Sequence, residues 1–123
     1  MSIKKGIAME NGSLGFIEIT GVVAALDALD IMVKSANVSL VSWERKLGGR
    51  LVTMIITGEV AAVQEAVDNA CRRAIKKPVA HLVIAAPHEE TWKMVKFSAK
   101  RLQKGKNDKN SEETSEGYQE AYF

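Results

Sequence analysis

A single cysteine, Cys71, stands among 123 residues, so no internal disulfide can form, which fits a reducing cytosol. There are only two prolines, Pro78 and Pro87, and both sit where one apolar pattern gives way to another. Aromatic residues make up 6%, which leaves alanine and valine to build a compact, thin core. An excess of one charge is also missing. The net charge of +2 argues against a nucleic-acid partner and against an anionic membrane surface. No apolar run approaches the roughly 20 residues of a membrane span. The N-terminus lacks the long apolar core of a secretory signal, so export is not expected. One domain is expected from this length, and a hydrophobic fraction of 46% suffices for one core.

What is present centres on Trp43-Glu44-Arg45-Lys46-Leu47-Gly48-Gly49-Arg50-Leu51. β-Branched apolar runs, 38–41 and 51–56, flank two adjacent glycines, the usual device for a tight turn. Arg45, Lys46 and Arg50 make the tip basic, with Glu44 alone opposing them. On one chain this is an ordinary solvated turn. It gains meaning only if several copies meet around an axis.

Residues 1–12 read as a flexible lead-in. A strand is predicted from Ser13, broken by Gly21, and a helix over 22–34 with Thr20 as N-cap. Val22, Ala25/Leu26, Leu29 and Met32/Val33 form its apolar stripe, and Asp27, Asp30 and Lys34 its wet side. After the hairpin, Glu59 opens a second helix, with Val60, Val63, Val67, Ala70/Cys71 and Ala74 inward and Asp68 and Arg72 spaced for an ion pair. Pro78 ends it. Residues 79–86 read as a short buried strand. Pro87-His88-Glu89-Glu90 starts a third helix whose greasy side is Trp92, Val95 and Leu102. The polar composition from Lys104 predicts a disordered tail, 104–123, whose sticky points are Tyr118, Tyr122 and Phe123. The folded domain is thus 13–103.

Ile19-Thr20-Gly21-Val22-Val23-Ala24-Ala25 echoes Ile56-Thr57-Gly58-Glu59-Val60-Ala61-Ala62 at an offset of 57 − 20 = 37 residues. Two tandem strand–helix–strand units follow. They predict an α+β fold, the ferredoxin-like split βαβ-βαβ antiparallel sheet with both helices on one face, plus a C-terminal helix.

No catalyst assembles from these residues. Gly48-Gly49 lies between strands, not before a helix, so it is not a phosphate loop. Neither His81 nor His88 has a Cys or His at ligand spacing, so no metal and no cofactor is expected. His81 reads as a half-buried strand residue and His88 as a capping or interface group. Cys71, on an apolar stripe, reads as a structural thiol. Glu89-Glu90 and Asp27/Asp30 suit helix ends and solvated faces.

Leu14-Gly15-Phe16-Ile17-Glu18, Met32-Val33-Lys34-Ser35-Ala36-Asn37-Val38, Gly49-Arg50-Leu51-Val52-Thr53, Gly58-Glu59-Val60-Ala61-Ala62-Val63, Ile84 and Pro87-His88 occur in this order across 13–94. In them the chain resembles the shell-protein (BMC) domain of bacterial microcompartments, in its single-domain, hexamer-forming type. The resemblance implies a BMC fold and a structural role rather than an enzyme. It implies a homohexameric tile that packs beside other shell proteins into a sheet enclosing enzymes, within the cytoplasm, with small polar or anionic metabolites crossing a central pore.

On this resemblance Lys46, Leu47, Gly48, Gly49 and Arg50 line the pore, and Lys34, Asn37 and His88 lie at the hexamer edge. The turn is one residue longer than the common Lys-Ile-Gly-Ser-Gly form, with Arg50 in place of a small residue. Ala86 stands where many members carry an arginine that seats the neighbouring tile. A different reading is a small oligomeric ligand-binding or signalling protein of the same split fold, holding an anionic metabolite on Arg45, Lys46 and Arg50.

Overall fold

The computed structural model describes residues 12–45 and 50–112. Four strands and three helices follow in the order β1 (Ser13–Thr20), α1 (Val22–Ser35), β2 (Val38–Arg45), β3 (Leu51–Gly58), α2 (Val60–Arg73), β4 (Ala80–Ile84) and α3 (Glu89–Glu112). The sheet order is β2-β3-β1-β4, and every neighbouring pair is antiparallel. This is the split βαβ-βαβ arrangement that the internal echo predicts.

Alternation along the strands divides the molecule into two cores. Ile17, Ile19, Val52, Met54 and Ile56 face α1 and α2, where they meet Ala24, Ala25, Ala28, Met32, Val63, Ala66, Val67 and Ala70. Leu14 and Ile55 face the other way and are covered by Trp92 and Val95 of α3. The sheet is therefore clothed on both sides. Gly15 explains how closely α2 sits on β1: an added Cβ would lie 2.7 Å from Val63 Cγ1 and 3.1 Å from Val67 Cγ2.

The structure corrects several local expectations. The N-cap position of α1 belongs to Gly21, not Thr20, and carries no side-chain cap. Gly21 adopts φ 97°, which a residue with a Cβ rarely enters. The buried stripe of α1 is rotated toward its alanines, leaving Leu26 and Val33 exposed. Ala24, Ala25, Ala28 and Met32 instead join Ala66 and Ala70 of α2 in the main core. Val60 is likewise exposed.

The expected Asp68–Arg72 pair is replaced by Arg72 Nη2 donating to Asn69 Oδ1 at 2.6 Å and Gln64 donating to Asp68 at 3.0 Å. β4 is an edge strand, with Val79 beside it and Leu82 within it more than half exposed, rather than a buried one. Leu102 is exposed too. α3 continues as helix to Glu112, so the polar composition from Lys104 is helical as far as that residue. Residues 113–123, which include Tyr118, Tyr122 and Phe123, lie outside the described residues.

Candidate functional site

Register fixes where the two groups of candidate residues stand. Thr20 pairs with Leu51, and Arg45 with Val52, at one end of the sheet. Ser13 and Val38 both pair with Gly58 at the other. Seven strand steps of about 3.4 Å separate these ends by roughly 24 Å. Arg45 and Arg50, the residues on either side of 46–49, stand at the first end. Asn37, one residue before β2, and His88, just beyond β4, flank the second, as does Lys34 in the last turn of α1.

At the tip, Arg50 is exposed, and its carbonyl accepts the Gly21 amide at 2.6 Å. The positive φ of Gly21 aims its amide at the base of the hairpin while the chain turns into α1. Lys46, Leu47, Gly48 and Gly49 lie outside the described residues. Arg45 and Arg50, on the two legs of the turn, keep its base cationic.

At the far end, Lys34 Nζ pairs with Asp30 Oδ2 at 2.8 Å, both side chains largely in water. Asn37 is exposed, and its carbonyl lies only 2.9 Å from where a Cβ on Gly58 would be. His88 is exposed as well, and its Nδ1 accepts the Glu90 amide at 2.9 Å. That bond satisfies one of the open donors at the start of α3 and leaves the ring's N–H on Nε2, available to a neighbour. His81 is exposed on β4 rather than half-buried.

The residues set aside as candidates for chemistry have structural occupations. Asp27 Oδ2 accepts the Ile75 amide at 2.8 Å, tying the exit of α2 to α1. Burial raises the Cys71 thiol above its ordinary value, with Asp68 adding to the rise and Lys77 opposing it. A thiol held protonated is a poor nucleophile.

Sequence reasoning missed one arrangement beside the tip. Glu44, the lone acid there, is engaged by Arg101 Nη2 at 2.8 and 2.7 Å and by the Ser98 hydroxyl, both from α3. The partners are 57 and 54 residues away in sequence, so no local spacing announces them.

Comparison with known proteins identifies the family. The profile of the BMC domain matches residues 13–87. The bacterial microcompartment shell protein PduA of Citrobacter freundii is 44% identical over 89 residues, covering 71% of this chain and 95% of its own. The carboxysome shell protein CsoS1B of Hydrogenovibrio crunogenus is 45% identical over 93 residues, covering 73% and 90%. A solved microcompartment protein from Desulfitobacterium hafniense DCB superposes with a TM-score of 0.62 at 23% identity, covering 72% of this chain and 48% of that one, a likeness of fold. The matched span takes in all four strands, α1 and α2 and the core between them, and on that ground the chain belongs to the BMC domain family.

Proposed function

We propose that this protein is a structural tile of a bacterial microcompartment shell in the cytoplasm. It assembles as a homohexamer, packs edge to edge with other shell proteins around encapsulated enzymes, and passes small polar or anionic metabolites through a pore at the six-fold axis. The observation that carries this reading is the apolar surface a single chain leaves open. Val23, Ile75, Val79 and Leu82 are each more than half exposed, and β4 offers an unpaired strand edge beside two of them. Apolar side chains grouped along a free edge mark a surface that a partner covers.

The separation of the candidate groups supports the same reading. Lys46, Leu47, Gly48, Gly49 and Arg50 belong to the end of the sheet that would meet the axis; Lys34, Asn37 and His88 belong to the rim. Six basic tips around one opening favour anions, and glycines keep side chains out of the constriction. Lys34 has a long apolar stem to lay against its counterpart across a seam while its ammonium stays wet. Light scattering tests the assembly: six copies per particle are expected, with sheets forming at high concentration. A monomer at those concentrations would overturn the proposal.

A further inference from the structure

β2 carries an irregularity that decides where its inner end is held. Its register against β3 slips between Leu40 and Ser42, a bulge of one residue. Because side chains alternate, a one-residue slip exchanges the faces of everything beyond it. Ser42 and Glu44 consequently face α3 rather than α1 and α2. Arg101 Nη2 bridges both carboxylate oxygens of Glu44, and the Ser98 hydroxyl donates to Oε2. A hydroxyl has one hydrogen, so in the 2.7 Å contact between Ser42 and Ser98 the buried Ser42 is the donor. The Phe97 ring lies 5.6 Å from the Arg101 guanidinium. A solvated ion pair alone would contribute little. Four groups joined in one network, anchored on a buried serine, define a geometry.

We propose that Arg101 and Ser98 are positioning residues for the pore. By holding Glu44 against α3 they neutralise the carboxylate next to Arg45 and fix the direction in which Arg45 leaves the sheet. The inference rests on the reading of the tip as pore lining. It makes the anion preference depend on a helix outside the loop, and outside the matched span 13–87.

The test uses the full chain with Arg101→Gln, Arg101→Lys, Ser98→Ala and the double variant Arg101→Gln/Glu44→Gln. Hydrogen exchange is followed at residues 43–45 and 50–52, and chloride-over-potassium selectivity is measured on the assembled oligomer in a planar bilayer. Arg101→Gln should speed exchange in both segments by about tenfold and lower chloride preference, and Ser98→Ala should do the same more weakly. Arg101→Lys should restore most of both readouts. The double variant should regain chloride preference, because the freed carboxylate is gone.

If Arg101→Lys loosens the strand ends as much as Arg101→Gln, the contact is packing and the proposal fails. A Lys46→Glu/Arg50→Glu variant separates the two readings. If it leaves selectivity unchanged while Arg101→Gln still loosens residues 43–45, the pore assignment fails and the hold on Glu44 stands. If it reverses selectivity while Arg101→Gln moves neither readout, the pore stands and this inference is overturned.

Discussion

The amide of Gly21 donates to the carbonyl of Arg50 at 2.6 Å, tying the start of α1 to the base of the basic hairpin. Gly58, its counterpart in the internal echo, ends β3 paired with Ser13 and Val38 and has no positive φ. There the chain needs room, because a Cβ would stand 2.9 Å from the Asn37 carbonyl and 3.3 Å from Val38 Cγ1. Two identical Thr-Gly pairs thus meet different physical demands.

Gly21→Ala and Gly58→Ala should each lower stability by about 1–3 kcal/mol, the first through backbone strain and the second through crowding. Thermal unfolding of both variants measures this. An L-Cβ at Gly21 would meet nothing within 4 Å, so the loss there comes from the positive φ, which a D-alanine introduced by semisynthesis adopts without strain and should therefore relieve.

Gly15→Ala drives a methyl into Val63 and should destabilise by about 1–3 kcal/mol. Adding Val63→Ala removes the nearer clash, so the double variant should lose less than the two single losses combined. Denaturant titration of the four proteins gives the coupling. Additive losses would mean that α2 shifts bodily instead of resisting.

Lys34→Asp should abolish sheets while leaving hexamers and stability intact, since an exposed i,i+4 pair with Asp30 is worth only about 0.5 kcal/mol. Electron microscopy of concentrated protein reads the outcome. Sheets that survive this change and Lys34→Ala would remove Lys34 from the seam.

Lys46→Glu combined with Arg50→Glu should reverse the charge preference of the pore, measured as the sign of the reversal potential in a salt gradient, without changing the melting temperature. Anion preference that persists would place both side chains away from the opening.

Cys71 should react with alkylating agents more slowly than a free thiol at pH 8. The sign of its effect on stability follows from the raised value. The folded chain holds the proton more tightly than the unfolded one, so the contribution is complete well below the ordinary value of 9.0 and declines as pH rises past it. Cys71→Ala should flatten that decline in a stability-against-pH series.

Much of this architecture was legible in the chain. The Thr-Gly echo announces two strand–helix units, and the alternation of Ile17, Ile19, Val52, Met54 and Ile56 marks the face that α1 and α2 cover. The exposure of β4 could not be read, because Val79, Leu82 and Val83 look the same whether a sheet or a neighbouring molecule buries them. Nor could the bulge at Leu40/Ser42, since an unpaired residue leaves no compositional trace in a β-branched run. With the bulge hidden, Glu44 looked like a counter-charge to the tip when it is a partner of Arg101. At the candidate site, sequence placed Lys34 near the end of a helix, where it stands, while residues 46–49 of the basic turn lie outside the described residues. Sequence could not place the two groups relative to one another, which depends on pairings such as Ser13 with Gly58.

That pairing leaves Arg50, just before β3, near one end of the sheet and Lys34, in the last turn of α1, near the other, and the distance between them has an evolutionary meaning. On the proposed reading, substitutions that retune traffic through the opening would leave the joints between neighbours untouched, and the reverse would hold as well. Chains alike at the rim and unlike at the tip can therefore share a single lattice, a mosaic whose permeability is adjusted by the proportions in which its members are made.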